Sequence, residues 1–202
     1  DAKLKKKLKS DILENIKVKK KIINYSKIIG EVIEIIYSTI NNGNKVFICG
    51  NGGSAADAQH LSAEFLVRLK PTNNRKPYPL ISLALDTSTI TACGNDYGFE
   101  HLFSRNLSAL ANKNDLLIIM STSGNSKNII KVLNMAKKIN VKSVGFLGNN
   151  GGIAKAKVDI PLIVPSRNVA RIQEAHIFLG HFILEQVEKL LLKKKIWKKK
   201  YL

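Results

Sequence analysis

In residues 45–61, KVFICGNGGSAADAQHL, an apolar run passes through a glycine-rich turn into a helical pattern, and this transition indicates the fold class. Residues 45–50 predict a buried strand, and the segment from Ser54 to about Arg68 predicts a helix. The same alternation continues along the chain. Further strands are predicted at 79–85, 115–120, 142–148 and 157–164, and further helices at 126–139 and 169–192.

This alternation predicts parallel strands, because parallel neighbours need a long crossover connection, usually a helix. We therefore predict an α/β fold with a doubly wound, Rossmann-like sheet of five parallel strands flanked by helices. Apolar positions at helical spacing predict two helices ahead of the sheet. The predicted organisation is an N-terminal helical segment (1–42), one α/β domain (43–192) and a basic C-terminal tail (193–202).

The composition indicates which kinds of binding partner are favoured among anionic metabolites, nucleic acid and a membrane. The net charge of +18 comes largely from the lysine-rich ends, so solvated ends and attraction for anionic metabolites are favoured over nucleic-acid binding. No apolar run approaches the roughly 20 residues of a membrane helix, and no secretory h-region follows the basic N-terminus. Cys49 and Cys93 lack metal-site spacing, which indicates free thiols in a reducing cytoplasm.

The loop GNGGSA, residues 50–55, formally matches the dinucleotide fingerprint. That motif needs an acidic residue about 20 positions later, and residues 70–76 contain none, whereas Asp86 lies too far along. NAD binding is therefore disfavoured. Ser54 is predicted to cap the next helix with Asp57 as its capping-box partner. A tight turn without a ligand and a turn that lets a ligand approach the backbone both stay open.

The loop STSGNS, residues 121–126, follows the third predicted strand and opens a helix. The N–H groups of a helix N-terminus attract phosphate, and hydroxyl groups can donate to its oxygens. No Walker lysine follows the loop, so a sugar phosphate is favoured over a nucleotide. A serine-rich N-cap without a ligand is the alternative.

Two helices carry candidate acid–base or metal-binding residues. His60 and Glu64 are four residues apart and share one helix face, where they can bind a metal or act as an acid–base pair. In the last helix Glu174 is seven residues before His181 and Gln173 eight, so helical phase favours Glu174 as the partner of His181. A solvated helix face is the alternative for each of these residues.

Taken together, these motifs resemble one family. GNGGSAADAQHLSAEF (50–65), TACGNDYGFEHLFSR (91–105), STSGNS and RIQEAHIFLGH (171–181) occur in the order and spacing of bacterial phosphoheptose isomerases, which belong to the sugar isomerase (SIS) fold group. The resemblance covers roughly residues 30–190. It implies isomerisation of sedoheptulose 7-phosphate to D-glycero-D-manno-heptose 7-phosphate, the first step of nucleotide-heptose synthesis for lipopolysaccharide or capsule.

The resemblance also implies a set of site residues. It implies one zinc ion per subunit, held by His60, Glu64, Gln173 and His181, so that Gln173 takes the position that helical phase assigns to Glu174. It implies acid–base roles for Glu64 and His181, and a homotetramer with active sites at subunit interfaces. The implied substrate contacts are Asn51, Gly52, Gly53, Glu64, Asn95, Asp96, Ser121, Thr122, Ser123, Ser126 and Gln173.

The predicted mechanism is proton transfer through an enediol, with Glu64 as base and His181 as proton donor or acceptor at the oxygens. Two alternatives stay open. One is a non-catalytic SIS protein that binds a replication initiator or senses sugar phosphates. The other is an SIS isomerase that acts on a pentose or hexose phosphate. The presence of all four implied zinc ligands favours the enzyme.

Overall fold

The computed structural model describes the backbone of residues 1–84 and 86–200, and the side chains of these residues as far as 193. Three short 3₁₀ turns accompany the main elements, at Ile23–Tyr25, Phe99–His101 and Ile153–Ala156. The main elements are α1 (Ala2–Ile22), α2 (Ser26–Asn41), β1 (Val46–Gly50), α3 (Gly53–Leu66), β2 (Leu80–Ser82), α4 (Thr87–Asp96), α5 (Leu102–Leu110), β3 (Leu116–Ser121), α6 (Lys127–Lys138), β4 (Lys142–Gly148), β5 (Ile160–Val164) and α7 (Val169–Lys200).

The five strands form one parallel sheet in the order β2-β1-β3-β4-β5. The predicted doubly wound fold is thereby confirmed. The strand order reverses between β1 and β3, which is where ligands bind in such sheets. In the register Gly50 pairs with Met120. The glycine-rich loop (residues 50–55) after β1 and the serine loop (residues 121–126) after β3 therefore lie side by side at the same edge of the sheet.

Helices cover both faces of the sheet, which explains why its strands are apolar at almost every position. On one face α2, α3 and α7 contribute buried side chains such as Ile36, Phe65 and Leu179. On the other face α5 and α6 contribute Leu107 and Leu133, among others. Among the described helices, none combines the length and the apolarity that crossing a membrane requires.

Several sequence-based boundaries are corrected by the structure. Helices α4 and α5 were not predicted, because the polar sequence of α4 has no clear apolar period and α5 is short. Helix α7 continues to Lys200 instead of ending near residue 192, so the basic segment begins inside a helix. Strand β2 ends at Ser82, and Leu85, its predicted end, lies outside the described residues. The division into a helical segment, a domain and a tail stays a prediction.

The predicted cap of α3 is wrong. The N-cap residue is Gly52 and none of the described side chains caps the helix, while Ser54 is buried in its first turn. Asp57 therefore has no capping-box partner. The helix instead begins in the glycine-rich loop, whose backbone stays free of a capping side chain.

Candidate active site

Helices α3 and α7 bring two histidines and a glutamate into one cluster. The Nε2 atoms of His60 and His181 lie 2.8 Å apart, with the rings nearly perpendicular at 88°. Glu64 Oε1 lies 3.4 Å from His60 Nε2. His60 is exposed, whereas Glu64 and His181 are half-buried. The structure therefore joins residues from helices more than a hundred positions apart in the chain.

The donor set of this cluster fits zinc. One potential ligand atom from each of His60, Glu64 and His181 lies within 4.8 Å of the other two. Zinc accepts imidazole nitrogen and carboxylate oxygen at about 2.0–2.2 Å, and tetrahedral geometry separates two such nitrogens by about 3.3 Å. The two imidazole nitrogens would need to move apart by only about half an ångström to hold an ion between them.

Asp57 lies on α3, one turn before His60, and near the imidazoles of both His60 and His181. Within the described part of the chain its Oδ2 is buried and has no hydrogen-bond partner. Burial raises the pKa of the Asp57 carboxyl, and electrostatic interaction with nearby His60 and His181 opposes that rise. Sequence reasoning assigned Asp57 to a cap and missed its place beside the cluster, although its position one turn before His60 was a signal.

Gln173 packs against the glycine-rich loop at the start of α3. A Cβ atom on Gly53 would lie 2.6 Å from Gln173 Nε2, so the close approach requires a glycine. Glu174, which helical phase favoured, points elsewhere, because its carboxylate accepts hydrogen bonds from Arg171 at 2.6 Å and from Asn15 of α1. The preference for Glu174 is therefore wrong. Gln173 as a fourth metal ligand stays a prediction.

Two serine hydroxyl groups of the serine loop accept hydrogen bonds from backbone amides of the same loop. Ser121 Oγ accepts a hydrogen bond from the Gly124 amide at 3.0 Å, and Ser123 Oγ accepts one from the Asn125 amide at 3.2 Å. Ser126 is the N-cap of α6 and makes no side-chain cap bond. Its hydroxyl group and the first N–H groups of the helix are therefore suitably placed for an anion. Thr122 is half-buried between these residues.

The loop after β4, residues 149–153, packs against the serine loop. Gly124 has φ of +66°, and a Cβ atom there would lie 2.0 Å from the Gly151 carbonyl oxygen. Asn125 Oδ1 accepts a hydrogen bond from the Ile153 amide at 3.0 Å. The serine loop is thus held by backbone contacts that only glycine permits. This support was not predicted from the sequence.

A pair of asparagines joins the glycine-rich loop to the serine-loop helix. Asn51 Nδ2 donates to Asn128 Oδ1 at 2.9 Å, and Asn128 Nδ2 donates back to Asn51 Oδ1 at 2.8 Å. Asn128 is buried in the first turn of α6, where its Oδ1 also accepts from the Ile129 amide. Sequence reasoning named Asn51 but missed Asn128, which carries no motif signal of its own.

Asn95 and Asp96 form the exposed C-terminal end of α4. The hydrogen bond described for them joins Asn95 Nδ2 to Asp96 Oδ1 at 2.8 Å, so their contact with substrate stays a prediction. Asp86 caps the other end of α4, accepting hydrogen bonds from the amide and the hydroxyl group of Thr89, each at 2.8 Å. It therefore has a structural role in place of a ribose-binding one.

Comparison with known proteins agrees with this geometry. The SIS domain family matches residues 12–148, more than half of the chain, and the chain belongs to that family. Phosphoheptose isomerases are similar to it over most of their length. The one from Clostridium acetobutylicum is 43% identical over 94% of this chain and 97% of its own. The one from Campylobacter concisus is 50% identical over 77% of this chain and 81% of its own.

Solved structures of two phosphoheptose isomerases superpose closely on this fold. The enzyme from Neisseria gonorrhoeae has a TM-score of 0.86 and 35% identity, covering 92% of this chain and 99% of its own. The enzyme from Francisella tularensis has a TM-score of 0.84 and 34% identity, covering 91% and 97%. Within the SIS family the chain is a member of the phosphoheptose isomerases.

Proposed function

We propose that this chain is an aldose–ketose isomerase that converts sedoheptulose 7-phosphate to D-glycero-D-manno-heptose 7-phosphate. The observation that carries the proposal is the cluster of His60, Glu64 and His181 on helices α3 and α7. The glycine-rich loop links α3 to a serine-lined helix N-terminus suited to phosphate. The non-catalytic alternative is not favoured, because the acid–base groups are present together and the relatives are isomerases.

The reaction moves hydrogen between two neighbouring carbons. Glu64 takes a proton from C1 of the open-chain ketose, and the C2 carbonyl oxygen gains a proton, which gives an enediol. Return of a proton to C2 and loss of the O1 proton then give the aldose. We assign the exchange of protons with O1 and O2 of the substrate to His181. Its imidazole is on α7, faces Glu64 and His60 of α3, and lies 2.8 Å from His60.

The serine loop would hold the phosphate end of the substrate. Ser121, Thr122, Ser123 and Ser126 supply hydroxyl groups, and the N-terminus of α6 supplies backbone N–H groups and partial positive charge. Anchoring the phosphate orients C1 and C2 relative to Glu64, which converts binding energy into correct placement. The proposed contacts of Asn51, Gly52, Gly53, Asn95, Asp96 and Gln173 belong to the same substrate.

We assign one zinc ion per subunit to His60, Glu64 and His181, with Gln173 as the fourth ligand. When bound, zinc acts as a Lewis acid on the carbonyl and hydroxyl oxygens. The fit of the two imidazoles and the carboxylate to zinc distances supports this assignment. A carboxylate bound to a metal is a weaker base, and an imidazole nitrogen bound to a metal cannot accept a proton. Glu64 and His181 would therefore each serve as ligand and as proton-transfer group in different steps.

The proposed assembly is a homotetramer with active sites at subunit interfaces. Its support is an apolar groove of about 630 Å³ between α1, α2 and α7, lined by residues including Ile16, Ile33, Phe178 and Phe182. Large exposed apolar residues also run along α1. Light scattering should give a mass of four chains, and a monomeric wild-type protein would contradict the assembly. Free thiols at Cys49 and Cys93 support a cytoplasmic enzyme.

A direct assay tests the function. Purified protein should convert sedoheptulose 7-phosphate in a coupled assay, with far lower rates on pentose and hexose ketose phosphates. Metal analysis of the same preparation should find one zinc per chain. Binding of the heptose phosphate without turnover, by protein that contains its full metal content, would reject the enzyme. The product would feed nucleotide-heptose synthesis for lipopolysaccharide or capsule.

A further inference from the structure

Arg75 lies in the segment between α3 and β2, and its side chain is fully buried. Its side chain is 0% exposed and that of Glu188, on α7, is 2% exposed. The Nε atom of Arg75 lies 2.6 Å from Glu188 Oε1, and Asn73 Nδ2 donates to Glu188 Oε2 at 2.8 Å. The guanidinium also lies over the ring of Tyr78, 4.5 Å from its centroid. A buried ion pair with these additional partners has one defined geometry.

The same guanidinium binds the C-terminal end of α3. Its Nη2 atom donates to the Glu64 carbonyl oxygen at 2.8 Å, and Nη1 donates to the Phe65 carbonyl oxygen at 2.9 Å. These carbonyls belong to the last turn of the helix, where oxygens lack partners within the helix. Arg75 therefore holds the turn that carries Glu64 on one side and α7 on the other.

The Arg75–Glu188 pair lies at the same interface between α3 and α7 as the candidate active site. Glu188 follows His181 by seven residues, so both lie on nearly the same face of α7, two turns apart. Directly beside His181 the two helices are in close contact. A Cβ atom on Gly180 would lie 2.5 Å from Leu61 Cδ1. A small change in the spacing of α3 and α7 would therefore move His60 and His181 relative to one another.

We propose that Arg75 is a positioning residue, which sets the spacing of α3 and α7 and thereby brings His60, Glu64 and His181 into the geometry that binds metal and transfers protons. This inference rests on the proposed function of the cluster. Arg75 contacts the backbone of the last turn of α3 and the carboxylate of Glu188, and it acts through them.

The chain offers a matched control for this role. Lys70 and Glu185 join the same connecting segment to the same helix, 3.3 Å apart, but their side chains are 39% and 37% exposed. An exposed pair of this kind contributes little, because water and salt screen it. Lys70→Met therefore removes a cation from the same segment without removing the contact to α3.

The experiment compares full-length wild type, Arg75→Met, Arg75→Met/Glu188→Met and Lys70→Met. We expect Arg75→Met to weaken cobalt affinity, measured without substrate by chelator competition, by about 10- to 100-fold. Its kcat should fall by about 100-fold, because misplacement of catalytic groups by about 1 Å has such an effect. Its KM should change less, because the serine loop is untouched. Lys70→Met should match wild type in all three measurements.

The double variant separates positioning from stability. An apolar pair of similar volume removes the unpaired buried carboxylate, so we expect the thermal midpoint to recover relative to Arg75→Met. Cobalt affinity and kcat should stay low, because the hydrogen bonds to the Glu64 and Phe65 carbonyls are still missing. Recovery of affinity and kcat together with the thermal midpoint would overturn the proposal, as would a folded Arg75→Met variant with wild-type affinity and kcat.

Failure of the proposed function would look different, since wild type and Lys70→Met would then both lack turnover. Imidazole NMR signals of His60 and His181 still test the positioning in that case. These signals should shift in Arg75→Met and stay unchanged in Lys70→Met. Unchanged signals in Arg75→Met would overturn the proposal without reference to catalysis.

Discussion

The side-chain amides of Asn51 and Asn128 face each other and exchange two hydrogen bonds, at 2.9 and 2.8 Å. One residue follows β1 and the other lies in the first turn of α6, so the pair connects the glycine-rich loop with the serine loop. Because each amide supplies one donor and one acceptor to the other, the pair fixes the position of one loop relative to the other.

Asn128→Ala removes this connection and the bond to the Ile129 amide. Leaving buried polar groups unpaired costs about 1–3 kcal/mol, so the free energy of unfolding should fall by that amount. We also expect KM to rise more than kcat falls, because the phosphate site loses its alignment. Steady-state kinetics and urea unfolding check both effects. Asn134→Ala on the exposed side of α6 is the control, and equal behaviour of the two variants would contradict the prediction.

Glu64→Gln keeps the size of the side chain but removes its ability to accept the proton from carbon. Loss of a general base lowers rates by about 10²- to 10⁴-fold, so kcat should fall by at least about 100-fold while the fold stays intact. Kinetics and circular dichroism measure the two properties. Glu185→Gln, an exposed substitution on α7, should stay near wild type. Near-normal turnover by Glu64→Gln would remove this carboxylate from the mechanism.

His176 should make the protein sensitive to acid. It is fully buried, donates from Nε2 to the Leu147 carbonyl at 3.1 Å, and burial lowers the pKa of its imidazole to about 4. The unfolded chain takes up this proton near pH 6.5 and the folded chain does not. The contribution is therefore complete above pH 6.5, and the free energy of unfolding falls as the pH drops toward 4, by about 3 kcal/mol.

Urea unfolding of wild type and His176→Phe at pH 7 and at pH 4.5 measures this contribution. The loss of stability between the two pH values should be smaller in the variant, since a phenyl ring takes up no proton. Equal losses in both proteins would show that other groups produce the acid sensitivity.

Gly53→Ala should separate Gln173 from the glycine-rich loop. The added methyl group would lie 2.6 Å from Gln173 Nε2, which is the far end of a flexible side chain and can swing away. Stability should therefore change little, whereas zinc affinity and turnover should fall. Calorimetry, metal titration and the coupled assay measure these three properties. Gly30→Ala, where a methyl group would meet nothing within 4 Å, is the control, and unchanged zinc affinity in Gly53→Ala would separate Gln173 from the metal.

Local patterns predicted much of this molecule. The apolar strands are buried on both faces, so their composition alone indicated a parallel sheet, and the loops at their carboxyl ends indicated the ligand edge. The pairing of His60 with Glu64 depends only on helix geometry within one segment, and it is present as predicted. Helix α4 escaped prediction because its polar sequence has no clear apolar period, and α5 because it is only nine residues long.

The parallel sheet, the positions of its loops and the shared helix face of His60 and Glu64 follow from local patterns, because each depends on periodicity within a short segment. Three contacts depend on how the helices pack: His181 lies beside His60, Glu174 binds Arg171, and Arg75 joins α3 to α7. Helical phase gives a direction about the axis of one helix. The packing of the whole core decides which neighbour lies in that direction.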